Sequence, residues 1–456
     1  MRRKLILLLL PVLFTAAVLG ACAEGNSKGE VSKPFEGYTL YTPLTSNITY
    51  LINNDGDVVY TWEGQHFPGN SVYLLENGNL LRTADPGANG NEVFTSGGAG
   101  EMVQEFDWEG NLLWEFEYSS DQYLLHHDIE VLPNGNVLMI SWEYKSREEA
   151  IAAGRDPNLL EDGELWPDKI IEVKPTRPRG GEIVWEWKVW DHLIQDFDPS
   201  KENYGNVGEH PELVDINFVG KNKGGRADWL HINSVAYNEA LDQIVLSVHG
   251  FDEIWVIDHS TTTAEAAGHT GGRSGKGGDL LYRWGNPQTY RAGGPEDQQF
   301  FGQHDAEWIA QDLPGGGNIL VFNNGLNRQG QGKGYSTVVE IETPLDDGGN
   351  YKLTAGESFG PDEPVWEYKG NPPSSFYSSY ISGAQRLPNG NTLIVSGADG
   401  TFREVTHGGK IVWEYTNPFG KKSESGGANE NTVFKAEKYA PDYPGLKGRN
   451  LTVPPE

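Results

Sequence analysis

Cysteine, basic charge and long apolar or helical stretches are all scarce in this chain, and each shortage removes a class of protein. Of 456 residues only Cys22 is a cysteine, so no disulfide can form within the chain and no thiol chemistry is available elsewhere. Lys and Arg total 35 against 65 Asp and Glu, a net charge of −30. A phosphate-binding surface needs clustered cations to displace counterions, so nucleic acid is excluded as a partner. Any anionic substrate must approach against the global field, and the groups that attract it must be local. Most of the acidity serves solubility. Gly271-Gly272-Arg273-Ser274-Gly275-Lys276-Gly277 resembles a phosphate loop in composition alone, since a Walker loop places Ser or Thr after its Gly-Lys pair. Asp156 to Glu164 lacks the alternating ligands of an EF-hand.

Glycine and aromatic residues are plentiful, at 58 residues and 11%. They fall into a repeat. Six runs share the order apolar, apolar, Trp or Tyr, any residue, aromatic: Val58 to Trp62, Leu112 to Phe116, Ile183 to Trp187, Leu280 to Trp284, Pro364 to Tyr368 and Ile411 to Tyr415. Between them stand hairpins that turn at Asn77-Gly78, Asn134-Gly135 and Asn389-Gly390, with looser versions after His231 and His304. Asn-Gly suits a two-residue hairpin turn. Short strands repeating every few tens of residues predict an all-β fold, a six-bladed β-propeller. One domain is expected over 34–456, its end beyond Thr416 packing as an irregular tail and Tyr38 to Ile52 available to close the ring.

The first residues have a different character. Arg2, Arg3 and Lys4 precede an apolar run from Leu5 to Leu19 that is too short for an ordinary membrane span and suits an export signal. It ends Leu19-Gly20-Ala21-Cys22, which looks like a bacterial lipobox. Residues 1–21 are therefore expected to be a lipoprotein signal peptide, Cys22 to carry a lipid, and 22–33 to be a flexible tether. The mature protein would sit in the cell envelope, outside the cytoplasm, anchored to a membrane.

His127, His231 and His304 open corresponding strands of three repeats, where Asn70 and Ser382 stand in two others. The strand in question lies innermost in a propeller, so residues at one level ring the axis. His249, at the end of the strand after His231, emerges near the same mouth. Alternation along a strand would turn His126 outward and Asp128 away from the axis. His66, His192, His210, His259, His269 and His407 fall in turns or polar stretches and carry no expected role.

Leu125-His126-His127-Asp128-Ile129, Asp228-Trp229-Leu230-His231-Ile232-Asn233-Ser234, Phe301-Gly302-Gln303-His304-Asp305 and Asn318 to Gly325 resemble, in order, motifs of the bacterial arylsulfotransferase family. The resemblance covers nearly the whole mature chain. It implies a six-bladed propeller that moves a sulfuryl group from an aryl sulfate to a phenol, with no nucleotide donor and no other cofactor. By motif, the transiently sulfurylated histidine corresponds to His304 and its companions to His127 and His231. Family members carry an arginine where this chain has His249, and some have an amino-terminal sandwich domain for which there is no room here.

The chemistry stands apart from the name. Sulfuryl transfer spreads negative charge over three oxygens, so it needs a nucleophile with flanking donors. His304 would attack sulfur, His231 would exchange protons with the phenol oxygens, and His127 and His249 would hold the sulfuryl oxygens. Trp142 and Trp308 stand where they could stack on the aryl ring, although Trp in a blade is more often core; Arg328 could supply the charge missing at His249, although a loop arginine is more often solvated. Two other readings fit the same residues: a metal-dependent enzyme with His127, His231, His249 and His304 around one ion, and a non-catalytic, lipid-anchored ligand-binding propeller.

Overall fold

The aromatic repeat becomes the rim of the molecule. In the computed structural model, which describes residues 33–87, 91–220, 225–326, 328, 334–346, 348–420 and 431–453, all six copies supply the outermost strand of a four-stranded sheet, and the six sheets form a six-bladed β-propeller. Blade 2 runs Phe67–Leu74, Leu80–Asp85, Met102–Phe106, Leu112–Glu117, and blade 3 runs Tyr123–Val131, Val137–Glu143, Asp168–Pro175, Gly181–Lys188. Blade 4 is Ile232–Asn238, Gln243–Val248, Glu253–Asp258, Tyr282–Trp284; blade 5 is His304–Trp308, Ile319–Asn323, Thr337–Ile341, Trp366–Lys369. Blade 6 is Gly383–Arg386, Thr392–Ser396, Thr401–Val405, Ile411–Thr416.

The repeat exists because its third residue fastens each blade to the next. A buried Tyr or Trp needs a partner for its polar tip. Tyr60 Oη donates to Trp108 O at 2.6 Å, Trp114 Nε1 to Gly180 O at 2.7 Å, and Trp185 Nε1 to Thr261 Oγ1 at 3.2 Å. Tyr282 Oη donates to Gly360 O at 2.9 Å, Trp366 Nε1 to His407 O at 2.7 Å, and Trp413 Nε1 to Asn54 O at 2.6 Å. Every acceptor lies on the following blade, so one sequence position is used six times around the ring. Apolar residues fill the space between blades: Leu81, Val103, Trp114 and Phe116 of blade 2 pack on Ile129, Met139 and Ile171 of blade 3.

The hairpins use a different turn from the one their sequence suggests. Gly78, Gly135 and Gly390 have φ of 86°, 83° and 87°, while the preceding asparagines are not left-handed. Each is a type I turn completed by a left-handed glycine, with Leu75 N–H donating to Asn79 O and Gly78 N–H to Leu75 O, both at 2.8 Å. Asn77 Oδ1 accepts from Asn79 N–H at 2.9 Å, so the asparagine side chain braces the turn.

Blade 1 corrects the expected tail. Its order is Val433–Tyr439, Tyr38–Pro43, Ile48–Ile52, Val58–Glu63, so the end of the chain contributes the innermost strand and the beginning contributes the other three. Leu40 pairs with Glu437 and Tyr41 with Ala436. The pairing of the two termini gives blade 1 the axial fourth strand that the other five blades have. Tyr443, in the last turn, donates its hydroxyl to Leu74 O of blade 2 at 2.7 Å. Residues 31–456 form one compact unit. The expected signal peptide, Cys22 and all but the last residue of the tether lie outside the described residues. Among the described residues no helix is long and apolar enough to cross a membrane.

Candidate functional site

The innermost strands are bulged where the sequence singles out histidine. Register shifts fall between Leu125 and Ile129 in blade 3, Ile232 and Ser234 in blade 4, and His304 and Glu307 in blade 5. His127 and His231 have φ of 57° and 53°, and in blade 5 the left-handed residue is Asp305 at 56°. His304 thus stands one residue ahead of the position its two companions occupy. A bulge breaks the two-residue alternation of a strand, and neighbouring side chains that would have parted instead share the axis. A Cβ on Gly98 would lie 2.1 Å from the His127 ring, so this residue must be glycine for the imidazole to fit.

The structure brings all four predicted histidines together, strung in file. Ring centroids are 4.5 Å apart for His127 and His231, 5.3 Å for His231 and His249, and 5.1 Å for His249 and His304. His249 enters from just beyond the strand Gln243–Val248.

Each of the other three is oriented by a partner on Nδ1. His231 Nδ1 lies 2.5 Å from Asp228 Oδ2, and that carboxylate also accepts from Ser96 Oγ and, at 3.1 Å, from Trp142 Nε1. The carboxylate fixes the proton on Nδ1 and directs proton exchange to Nε2. His127 Nδ1 lies 2.8 Å from His126 Nδ1, and His126 Nε2 is 2.9 Å from Asp168 Oδ1. Burial pushes His126 down to about 3, against the attraction of Asp228, so it is neutral. With its proton on Nε2 facing Asp168, its Nδ1 accepts from His127 Nδ1–H.

His304 has the tautomer a nucleophile needs. Asn324 spends both amide protons on Ser378 O and Ile381 O, each at 2.8 Å, so its Oδ1 is the acceptor facing His304 Nδ1 at 2.8 Å. The lone pair is therefore on Nε2, where the Ile381 amide N–H donates at 3.2 Å. Ile381 is itself left-handed, with φ of 49°.

Beneath the histidines the axis is acidic around one cation. Lys435, on the closing strand, has Nζ 3.0 Å from Asp305 Oδ1, 2.9 Å from Glu307 Oε1, 3.6 Å from Asp128 Oδ2 and 3.8 Å from Glu437 Oε1. Burial raises Glu307 and Glu437 to about 7 in spite of the lysine, and raises Asp305 and Glu130 well above the carboxylate range. Asp128 and Asp305 each follow or adjoin a site histidine, so the site and the acidic floor share a backbone.

Several expectations are corrected. His126 is not an outward neighbour: it is buried and braces His127. Asp128 faces the axis, where it also accepts from Tyr73 Oη at 2.7 Å. For Trp142 the core reading is the one found: it is wholly buried, flat against His126 at 3.9 Å and near-parallel to Phe94 at 6.1 Å. Trp308 packs into the apolar layer between blades 4 and 5. Arg328 is held between the rings of Phe301 and Tyr335, at 5.1 and 4.4 Å, rather than in solvent. The axial histidines also do not converge as metal ligands: among the described residues, the set whose donor atoms gather within 4.8 Å is His192, His269 and Asp279. The sequence places Asp228 and Asn324 inside the recognised motifs but gives them no role, and it gives no signal for Asp168, Ile381 or Lys435.

No curated protein sequence matches the chain significantly. Among solved structures it is similar to a protein of unknown function from Bacteroides caccae, at 12% identity over 88% of this chain and 98% of that one, TM-score 0.46. It is also similar to virginiamycin B lyase from Staphylococcus aureus, at 12% identity over 84% and 82%, TM-score 0.38. A third is hydrazine synthase from Kuenenia stuttgartiensis, at 13% over 68% and 69%, TM-score 0.36. The sequence model of the family described as Arylsulfotransferase (ASST) matches residues 36–434. The chain belongs to the arylsulfotransferase family, transferases of the aryl-sulfate type.

Proposed function

We propose that the protein transfers a sulfuryl group from an aryl sulfate to a phenol by a ping-pong route through a sulfurylated His304. The observation that carries this reading is the tautomer set by Asn324, which puts the His304 lone pair on Nε2. Nε2 attacks sulfur, an N–S bond forms and the S–O bond to the aryl group breaks. His231, entering the cycle as an imidazolium paired with the Asp228 carboxylate, gives its Nε2 proton to the departing phenolate and keeps the one on Nδ1. The acceptor phenol then returns a proton to His231, its oxygen attacks sulfur, and the N–S bond breaks to restore the lone pair. The Ile381 amide that occupies Nε2 beforehand becomes a donor to a sulfuryl oxygen. His249 donates to the remaining oxygens together with His127, which does so in its imidazolium form, its Nδ1–H already donating to His126. The aryl sulfate is an anion that approaches against the chain's overall negative charge, so the axial imidazoles are the local groups that attract it. Cys22 carries a lipid that tethers the protein outside the cytoplasm.

Intact-protein mass spectrometry after brief exposure to a fluorogenic aryl sulfate tests the reading. A gain of one sulfuryl group, absent in His304→Ala and discharged by phenol, is expected. Phenol release with no mass gain would refute the covalent route, and neither release nor gain would refute the activity.

A further inference from the structure

The bulk of the titratable groups away from the axis are ordinary ion pairs, but one cluster is not explained as such. His192, wholly buried, ends the turn Val189–His192 that follows the outer strand of blade 3. His269 and Asp279 lie in the loop between the third and fourth strands of blade 4. Asp279 Oδ1 is 2.9 Å from His192 Nδ1 and 2.7 Å from His269 Nδ1. On its other side, His192 Nε2 lies 2.8 Å from Ala266 O. A carbonyl oxygen only accepts, so Nε2 carries a proton. In neutral imidazole the other nitrogen then presents a lone pair, and here that lone pair faces a carboxylate oxygen. Either a second proton is taken up in a fully buried place, or a cation lies between the two.

We infer that His192 Nδ1, His269 Nδ1 and a carboxylate oxygen of Asp279 form a binding site for a zinc-class divalent ion that ties blade 3 to blade 4. The donor atoms already gather within 4.8 Å of one another. Two imidazoles and a carboxylate are a donor set for borderline metals such as zinc, nickel or copper, not for calcium or magnesium. A backbone carbonyl on the far ring nitrogen is the outer-shell partner that fixes a ligating histidine in its tautomer, and Trp187, parallel to His192 at 5.9 Å, holds the ring plane. Ligand distances of about 2.0–2.1 Å place tetrahedral donors roughly 3.3 Å apart. The two contacts to Asp279 therefore open by about half an ångström on binding; exposure frees His269 to move for one, and a small turn of the Asp279 carboxylate opens the other. His269 also lines a surface cavity of about 520 Å³ together with His210, Asp191 and Glu202, from which a water or a small anion can complete the shell.

Zinc binding to the tag-free protein, measured as bound metal after equilibrium dialysis and as the shift in Tm, tests the site. Three proteins are compared: the unaltered chain, His269→Ala and His304→Ala. One zinc equivalent and a Tm rise of about 3 °C at a hundredfold excess over Kd are expected in the unaltered chain. Both are expected to persist in His304→Ala and to vanish in His269→Ala, a change at an exposed side chain that leaves the fold intact. Equal zinc binding by His269→Ala, loss of zinc in His304→Ala instead, or no bound zinc in any of the three would each overturn the inference. Because the readout is metal content and Tm, its failure is independent of whether the axial site transfers sulfuryl groups.

Discussion

Lys435 donates to Asp305 at 3.0 Å, so the last strand of the chain holds the residue that directly follows the proposed nucleophile. The same ammonium reaches Glu307, Asp128 and Glu437. Removing one member of a buried charged set leaves the others uncompensated, at a cost of about 3–5 kcal/mol. Lys435→Met is therefore expected to lower Tm strongly in a thermal melt, with Lys435→Arg losing far less. A Met variant as stable as the unaltered chain would show that the carboxylates are neutralised by protons alone.

Asp228 fixes the His231 proton on Nδ1. In Asp228→Asn the amide can donate to Nδ1, which moves the proton to Nε2. With its single proton on Nε2 and no carboxylate to support an imidazolium, His231 cannot protonate a leaving phenolate without becoming imidazolate, nor accept a proton from an incoming phenol at that nitrogen. Stopped-flow measurement is expected to show both the first release of phenol and the following turnover slowed by about 10²–10⁴. A burst as fast as in the unaltered protein would place His231 outside the donor step.

Asn324 sets the His304 tautomer and satisfies two carbonyls. Asn324→Ala is expected to reduce the rate of sulfuryl-enzyme formation about a hundredfold and to cost about 1 kcal/mol for each hydrogen bond lost. Rapid-quench mass spectrometry reads the first effect and chemical denaturation the second. Unchanged sulfurylation would assign the nucleophile's tautomer to another group.

His249 stands between His231 and His304, with centroids at 5.3 and 5.1 Å. A charge-assisted hydrogen bond to a sulfuryl oxygen is worth roughly 1.5–3 kcal/mol. His249→Ala is expected to raise KM for the aryl sulfate at least tenfold, and His249→Arg, which is always charged, to restore it. Steady-state kinetics at fixed acceptor decide this, and an Ala variant with unaltered KM would remove His249 from donor binding.

Burial holds Glu307 and Glu437 near 7 in the folded protein, above the usual value of 4.5. A raised folded pKa stabilises below the unfolded value and loses that contribution as pH rises through the folded one. Stability is thus expected to fall between about pH 4.5 and 7 from these groups. Glu307→Gln should flatten that slope by up to one proton's worth, about 1.4 kcal/mol per pH unit. Urea melts across the range measure it; an unchanged slope would mean Glu307 titrates alike in both states.

The propeller could be read from the chain because it depends on local, repeated instructions. The six aromatic runs became six outer strands, and their polar tips reach the neighbouring blade in every case, a regularity that repetition makes visible. The turn glycines were legible too, although whether Asn-Gly makes a two-residue or a three-residue turn depends on how the strands twist together. The four axial histidines were found through register and resemblance. Their partners were not: His126 was assigned outward because alternation assumes an unbroken strand, and a bulge brings it back beside His127. Asn324 and His304 are 20 residues apart and meet across a strand pair. Lys435 is 130 residues from Asp305 and was placed in a tail, since nothing in its own segment says that it closes the ring. The sequence by itself determined blades 2 to 6, because each is one consecutive stretch of chain whose strands pair with their neighbours, whereas blade 1 joins the two ends. Only the tertiary structure decided which buried charges are neutralised, which tautomers the histidines hold and which tryptophans are core, because those depend on groups that the ring closure brings together from distant parts of the chain.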